Sequence, residues 1–410
     1  MKKSSMNYLL LWQGNAVSIF GEALYNVALG LWIYDKTGSA AIMGTIIAVA
    51  KLPIIILGPF GGVLADRLDR KKLIVLGDLL RGIGMLVVAA LGLFGDLEVW
   101  MVMCLGILLS ICATFFNPSM QSILPDIVSK EKLVKASSKF QIGTQGANII
   151  GNAIGGLIYI KFGFLALVFA NGVSYVISAF TECFIKVQKN IDLMGEVKKN
   201  SFFEEFKDGV KYVMDNKALS RIILFALSVN FFSGMTMTSL NPFFILSPHL
   251  GREAYGLMSA FMSGGMLIGG LLLSVVTIKD SNKYKVFIFS TFTFEASLII
   301  GALIERKIPI FGFFMFGSIF LMAVNTILNT STLMAVPENM RGKVMSVVSA
   351  VAMAMSPLGN ALGGVLSDIV QPKTVILSSG VVWLVAAFII VVNPLVKSFF
   401  NGDEEEVVVE

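Results

Sequence analysis

Apolar residues run in blocks of about 20, the length an α-helix needs to cross a bilayer. The blocks cover roughly 9–33, 42–64, 73–94, 99–117, 138–160 and 164–185. After a charged stretch come 222–246, 255–277, 286–304, 308–330, 344–366 and 374–396. No alternating barrel strands interrupt them, and backbone in lipid must close its own hydrogen bonds, so each block predicts a helix. Lys2 and Lys3 ahead of the first block imitate a secretory signal. Gln13, Asn15 and Glu22 break its apolar run and eleven more blocks follow, so it reads as the first of twelve spans.

Composition agrees. The 410 residues are 56% apolar and 14% charged, against about 25% charged in soluble domains. That excludes a soluble enzyme, a disordered chain and a nucleic-acid binder. Cys104, Cys112 and Cys183 all lie in apolar runs and His249 is the one histidine, so no disulfide framework, metal or cofactor is expected. The net charge of +5 has a topological source. With the N-terminus inside, the inner segments carry 24 Lys and Arg and the outer loops 6. The positive-inside rule then predicts a multi-pass protein of the cell membrane with both termini cytoplasmic.

The chain repeats itself. Gly151-Asn152-Ala153-Ile154-Gly155-Gly156 recurs as Gly359-Asn360-Ala361-Leu362-Gly363-Gly364, 208 residues on. Gly61-Gly62 maps onto Gly269-Gly270 at the same offset, and Asn117 with Pro125 onto Asn329 with Pro337 at 212. Spans n and n+6 therefore correspond, the arrangement of a secondary transporter built from two halves. The expected fold is an all-α integral membrane protein with twelve helices in two pseudo-symmetric six-helix bundles, 1–185 and 222–397. A cytoplasmic linker, 186–221, joins them and an acidic tail, 398–410, follows. Within the linker, Ser201 to Glu204 reads as a capping box. Phe202, Phe203, Phe206, Val210 and Val213 then share one face of an amphipathic helix, read as a tether against the bundle.

Between spans two and three stands Gly62-Val63-Leu64-Ala65-Asp66-Arg67-Leu68-Asp69-Arg70-Lys71-Lys72. It resembles the loop signature of the major facilitator superfamily, G-x-L-x-D-R-x-G-R-K/R, with Asp69 in place of glycine as in the macrolide-efflux-like branch. Gly151–Gly156 resembles the antiporter signature of span five, G-P-x-x-G-G, with Asn152 in place of proline. The run from Gly14 through Gly82 also resembles that branch, and the likeness covers nearly the whole chain. The resemblance implies the twelve-helix fold, a drug:proton antiporter, and a latch role for Asp66 that closes the cytoplasmic side. Span four has none of the arginine that the wider superfamily often uses for proton coupling.

Physical reasons stand beside the likeness. Asp66 and Asp69 sit near the start of the third helix, where its dipole favours negative charge. Arg67, Arg70 and Lys71 can pair with them and hold the corner. A latch and a purely topological role for the basic residues both remain open. Gly151 and Gly155 give GxxxG spacing for close helix approach, and Asn152 marks a possible hinge. Gly155 and Gly156 complete that motif.

Ionisable groups at membrane depth are functional candidates by default. Asn15, Ser18, Glu22 and Asn26 form one stripe on span one. Others run through Gln141, Gln145, Asn148 and Asn152, through Asn230, Ser233 and Asn241, through Asn325 and Asn329, and through Ser349, Ser356 and Asn360. Such stripes need water or one another, which predicts an aqueous cavity. The candidate proton and substrate site is Glu22, Asn26, Lys51, Asn148, Asn230, Glu295 and Asn325. Glu22 reads either as a proton carrier or as half of a salt bridge to Lys51. Glu295 lies in span nine, peripheral in the family architecture. Asp78 and Arg81, three apart, read as an intrahelical ion pair, and Glu182 as a snorkelling group near the interface.

The expected activity is proton-coupled efflux of amphiphilic drugs such as macrolides by a monomer working with a small molecule and protons in the bilayer. No G-x-x-x-x-G-K-[ST] loop for nucleotide occurs. The 32 phenylalanines and 21 methionines suit an adaptable apolar surface. Two other readings are an exporter or flippase of a siderophore or lysophospholipid, which needs a strongly cationic cavity, and a non-transporting sensor or assembly subunit.

Overall fold

Thirteen helices and no strand make up the described residues of the computed structural model, which are 2–128, 130–185, 202–276, 278–337 and 340–401. The side chains of 2–5, 59–67, 130, 131, 134 and 202–205 are outside that description. The helices are α1 (Lys2–Thr37), α2 (Ala40–Arg67), α3 (Arg70–Phe94), α4 (Val99–Ile127) and α5 (Lys130–Cys183). They continue as α6 (Phe202–Asp215), α7 (Lys217–Leu246), α8 (Arg252–Val275), α9 (Asp280–Ile304) and α10 (Lys307–Ala335). Last come α11 (Arg341–Ile369), α12 (Pro372–Val391) and α13 (Pro394–Asn401).

Eleven of these are long and apolar enough to cross a membrane. One of the eleven lies in α5, which is broken at Gly163, where φ is 75° and ψ 175°. A side chain would be strained there, and glycine is not. The second limb, 164–183, has the about 20 residues that a crossing needs, so α5 supplies two of the twelve spans.

The chain divides into two units. The first holds Met1–Gly38, Val49–Lys199 and Tyr255–Ala260; the second holds Ser39–Ala48, Asn200–Ala254 and Phe261–Glu410. In the first, α1 and α3 pack on α5 and α4 on α3. Its core joins Leu24, Tyr25, Ala28, Met85, Val102 and Leu167, with Trp32 stacked on Phe164 at 4.7 Å. In the second, α7 packs on α11 and α12, and α9 on α10 and α12. Phe225, Phe287, Trp383 and Phe400 fill its core.

The internal repeat reappears as contacts. Gly151 and Gly155 of α5 lie against Ala23 and Val27 of α1. Gly359 and Gly363 of α11 lie against Phe231 and Met235 of α7. Each contact pair maps onto the other at the sequence offset of 208. Close backbone approach needs the missing Cβ, which is the packing that GxxxG spacing predicts.

The amphipathic face anticipated in the linker is α6. Val213, Phe206 and Val210 meet Leu219, Ile223, Val344 and Val347, and Asp208 pairs with Lys343 at 2.7 Å. Ser201 and the rest of 186–201 fall outside the described residues, as do 402–410 of the expected tail. A short helix, α13, stands where the tail was expected to begin. Val396 and Phe400 bury its apolar side beside Phe287 and Trp383.

Candidate functional site

Polar residues meet in the interior of the first unit because two helices carry the same spacing. Asn15, Ser18, Glu22 and Asn26 lie on α1 at i, i+3, i+7 and i+11. Asn171, Ser174, Ser178 and Glu182 repeat that spacing on the second limb of α5. At a helical period each set forms one face. The two faces approach where α1 is small: a Cβ on Gly14 would meet Ser178 Oγ and Thr181 Oγ1, and one on Gly21 would meet Ser174 and Asn171.

A cavity of about 310 Å³ opens beside this seam. Glu22, Asn15, Ser18, Asn117 and Gln121 supply its polar wall, and Phe116, Met120 and Tyr175 its apolar one. Glu22 Oε2 accepts a hydrogen bond from the Tyr175 hydroxyl at 3.4 Å. Arg81 also faces the cavity and lies over the Phe116 ring at 4.1 Å and the Tyr175 ring at 5.5 Å. Its Nη1 donates to Asp78 Oδ1 at 3.5 Å, and Ser18 Oγ donates to Asp78 Oδ2 at 3.4 Å. The cavity can hold a polar or cationic group against Glu22 while aromatic faces cover an apolar body.

The intrahelical pair of Asp78 and Arg81 is present, but it is buried and belongs to this cluster. Glu182 does not snorkel. It is 0% exposed, because the shared stripe turns it toward α1 and α3 and away from the surface. Sequence reading placed Glu182 by depth along the span; the stripe from Asn171 would have placed its face.

The other candidates are dispersed. Among the described residues no ion pair joins Lys51 to Glu22; Lys51 is exposed on α2, and Tyr175 is the group that meets Glu22. Asn26 is exposed on α1, one turn beyond Glu22. Asn148 accepts a hydrogen bond from Asn152 Nδ2 at 2.8 Å, so the antiporter-like segment is locked to its own preceding turn. In the second unit Asn230 bonds back to the Ala226 carbonyl at 2.9 Å and Asn325 is half-buried on α10. Glu295 is buried facing α12, where a Cβ on Gly380 would meet its Oε1.

At the loop signature, Asp69 is the N-cap of α3 and accepts from the backbone N–H groups of Lys71 and Lys72. The placement near the helix start agrees with the expected dipole effect, and the side chain adds an N-cap that the sequence reading did not name. Arg70 reaches across to Asp126 at the end of α4, 2.9 Å away, and Lys71 Nζ to the Cys183 carbonyl at 2.7 Å. These basic residues therefore tie α3 to α4 and α5 as well as marking the corner. The side chains of Gly62, Asp66 and Arg67 lie outside the described residues.

The sequence matches the family described as transmembrane secretion effector, of the major facilitator superfamily, over residues 4–405. It is 26% identical over 394 residues to macrolide efflux protein A of Streptococcus pyogenes, covering 94% of this chain and 95% of that one. It is also 26% identical over 405 residues to the putative bacilysin exporter BacE of Bacillus amyloliquefaciens, covering 98% of each. Among solved structures, it is similar to a bacterial homolog of the human lysosomal transporter Spinster in an inward-facing, unoccupied conformation. The TM-score is 0.71 at 15% identity, over 98% of each chain. A bacterial homologue of the iron transporter ferroportin gives 0.67 at 15% identity, over 94% of this chain and 99% of that one. The chain belongs to the transmembrane secretion effector family of the major facilitator superfamily and is a membrane transporter.

Proposed function

We propose that the protein exports amphiphilic drugs such as macrolides in exchange for protons, by alternating access. The observation that carries this reading is the Glu22 carboxylate on a cavity with aromatic and apolar walls. A carboxylate there can hold a proton or the cationic group of a drug, and release of one on arrival of the other couples the two. Asn15, Asn117 and Gln121 orient a polar cargo, and Phe116, Met120 and Tyr175 cover its apolar surface. The efflux and export names of the two relatives support the same class of cargo.

Arg81 on the wall is offset by Asp78 and Glu22, so the cavity lacks the strong positive charge that an anionic siderophore or lysophospholipid needs. Family membership removes the non-transporting sensor. An ion gradient supplies the drive, with the electrical part worth about 2.3 kcal/mol per charge per 100 mV. The excess of Lys and Arg in the inner segments supports cytoplasmic termini in the cell membrane, and we take the monomer as the working unit.

The test is vesicle transport. Purified protein in vesicles with an imposed pH gradient should move a labelled macrolide, and E22Q should abolish the gradient-driven part while remaining folded. Equal flux with and without the gradient overturns antiport; unchanged gradient-driven flux in E22Q removes Glu22 as the carrier.

A further inference from the structure

The second unit holds a larger cavity that cargo binding leaves unused. It measures about 500 Å³ and opens at the seam of α6, α7 and α13. Lys217, Ser220 and Arg221 of α7 supply its polar wall. Met214 of α6, Leu224 of α7 and Leu395 of α13 line its apolar side. The seam is fixed from within: Ser220 Oγ donates to the Val213 carbonyl at 2.6 Å, and Val213 packs on Leu219 and Ile223.

The wall is laid out like a phospholipid, charge first and apolar surface after. Lys217 and Arg221 stand one helical turn apart, about 5–6 Å at Cβ, so one phosphate reaches both. Arg221 is exposed and makes no hydrogen bond or ion pair among the described residues. Its planar fork fits two phosphate oxygens at once. The nearest acidic residue in sequence, Asp215, is not on the wall. Asn216 caps α7 by accepting from the Leu219 N–H at 2.9 Å, so side chains and not the helix end face an anion. Leu224 follows Arg221 by roughly 4.5 Å along the axis, on a helix long and apolar enough to cross a membrane. Met214 is 72% exposed and Leu224 45%. A wholly polar anion would leave both in contact with water; acyl chains cover them.

We propose that this cavity binds the headgroup of an anionic phospholipid from the bilayer. Lys217 and Arg221 hold the phosphate, and Met214, Leu224 and Leu395 bear on the upper acyl chains. The segment 186–221 holds eight of the chain's Lys and Arg, which puts this end of α7 at the cytoplasmic leaflet, where anionic lipids lie. A lipid seated here touches three helices and clamps α6 and α13 onto α7. The site goes beyond the transport reading and leans on neither cargo nor drive.

The test is photolabelling of the full-length protein in phosphatidylcholine nanodiscs that contain a trace of diazirine-bearing phosphatidylglycerol. Labels should map to Met214, Leu224 or Leu395, and added unlabelled phosphatidylglycerol should displace them. K217Q and R221Q should each weaken that competition about fivefold, the effect of one cation at an anionic surface. K397Q, which removes an exposed α13 cation off the wall, should leave it unchanged. Unaltered competition in both K217Q and R221Q overturns the site. Equal labelling from a diazirine-bearing phosphatidylcholine makes the occupant ordinary boundary lipid, and displacement by soluble glycerol phosphate makes it a free phosphate; either overturns the proposal. If the variants fail to fold, the wild-type comparison of the two lipid probes still decides. Nanodiscs present both leaflets, so labelling does not depend on orientation. A protein that moves no macrolide but keeps the phosphatidylglycerol preference sinks the transport reading and leaves this site standing.

Discussion

Gly44 of α2 lies under the backbone carbonyl of Asn360, and Asn360 is the repeat partner of Asn152, whose carbonyl covers Gly256 of α8. The same construction thus occurs twice: a glycine near the start of an even-numbered span seats the asparagine of the glycine-rich motif. A Cβ at either glycine would collide with a backbone oxygen that has no rotamer to escape by. G44V and G256V should each destabilise by about 1–3 kcal/mol, the usual range for overpacking. Thermal unfolding followed by tryptophan fluorescence checks this; unchanged midpoints in both variants would show that the helices part easily there.

Asp368 at the end of α11 caps the start of α2. Its carboxylate accepts from the backbone N–H of Ala40 at 2.7 Å, from that of Ala41 at 3.0 Å and from Ser39 Oγ at 2.5 Å. Loss of such a cap costs about 0.5–2 kcal/mol. D368A should therefore increase modification of a cysteine placed at Ser39, with D368N intermediate because its amide keeps one acceptor. Equal labelling rates in all three would exclude the cap as a restraint.

Helix α6 is held by a close approach as well as by charge. Gly209 sits against the Lys343 carbonyl, and Asp208 pairs with Lys343. An ion pair this exposed contributes about 0.2–1 kcal/mol, so D208N should leave α6 docked. G209L should lift it and speed protease cleavage near Lys207 and Lys211 several-fold. If D208N accelerates cleavage as much as G209L, charge and not fit holds the helix.

The loop after α9 gives a pH signature. Burial pushes the Glu305 carboxyl up, but hydrogen bonds from Lys373 and Ser247 and the Lys373 charge outweigh it and hold the group below its ordinary value. A carboxylate lowered on folding stabilises above its unfolded pKa, about 4.3, and that contribution disappears as pH falls through the lower folded value. K373M should cost about 0.2–1 kcal/mol at neutral pH and nothing in strong acid. A pH-independent difference between wild type and K373M would assign the effect to packing.

Depth along the chain was legible; lateral facing was only partly so. Twelve apolar blocks located the spans because crossing a bilayer demands an uninterrupted run, and the gap at 161–163 marked the Gly163 break. Asp69 was legible as a charge favoured by the start of α3, but its cap on Lys71 and Lys72 and the turning of Arg70 to Asp126 were not, because both depend on the local turn and on α4. Glu22 announced itself by the stripe it shares with Asn15 and Ser18. Its partner did not. Lys51 is the cation within the neighbouring span, but Tyr175 arrives from 153 residues away, and nothing local specifies that pairing. Asp78 and Arg81 were recognisable as neighbours on one helix, whereas their place in a buried cluster depends on α1 and α5 closing over them. The α13 helix escaped notice because eight residues with two inward apolar groups give too short a pattern.

The division of the chain carries a consequence for the gene. The first unit includes Tyr255–Ala260 and the second includes Ser39–Ala48. A cut between 186 and 201 would therefore yield two polypeptide fragments, neither of which encodes all of its own unit. Each fragment would instead carry a short segment, Ser39–Ala48 or Tyr255–Ala260, that belongs to the other's unit.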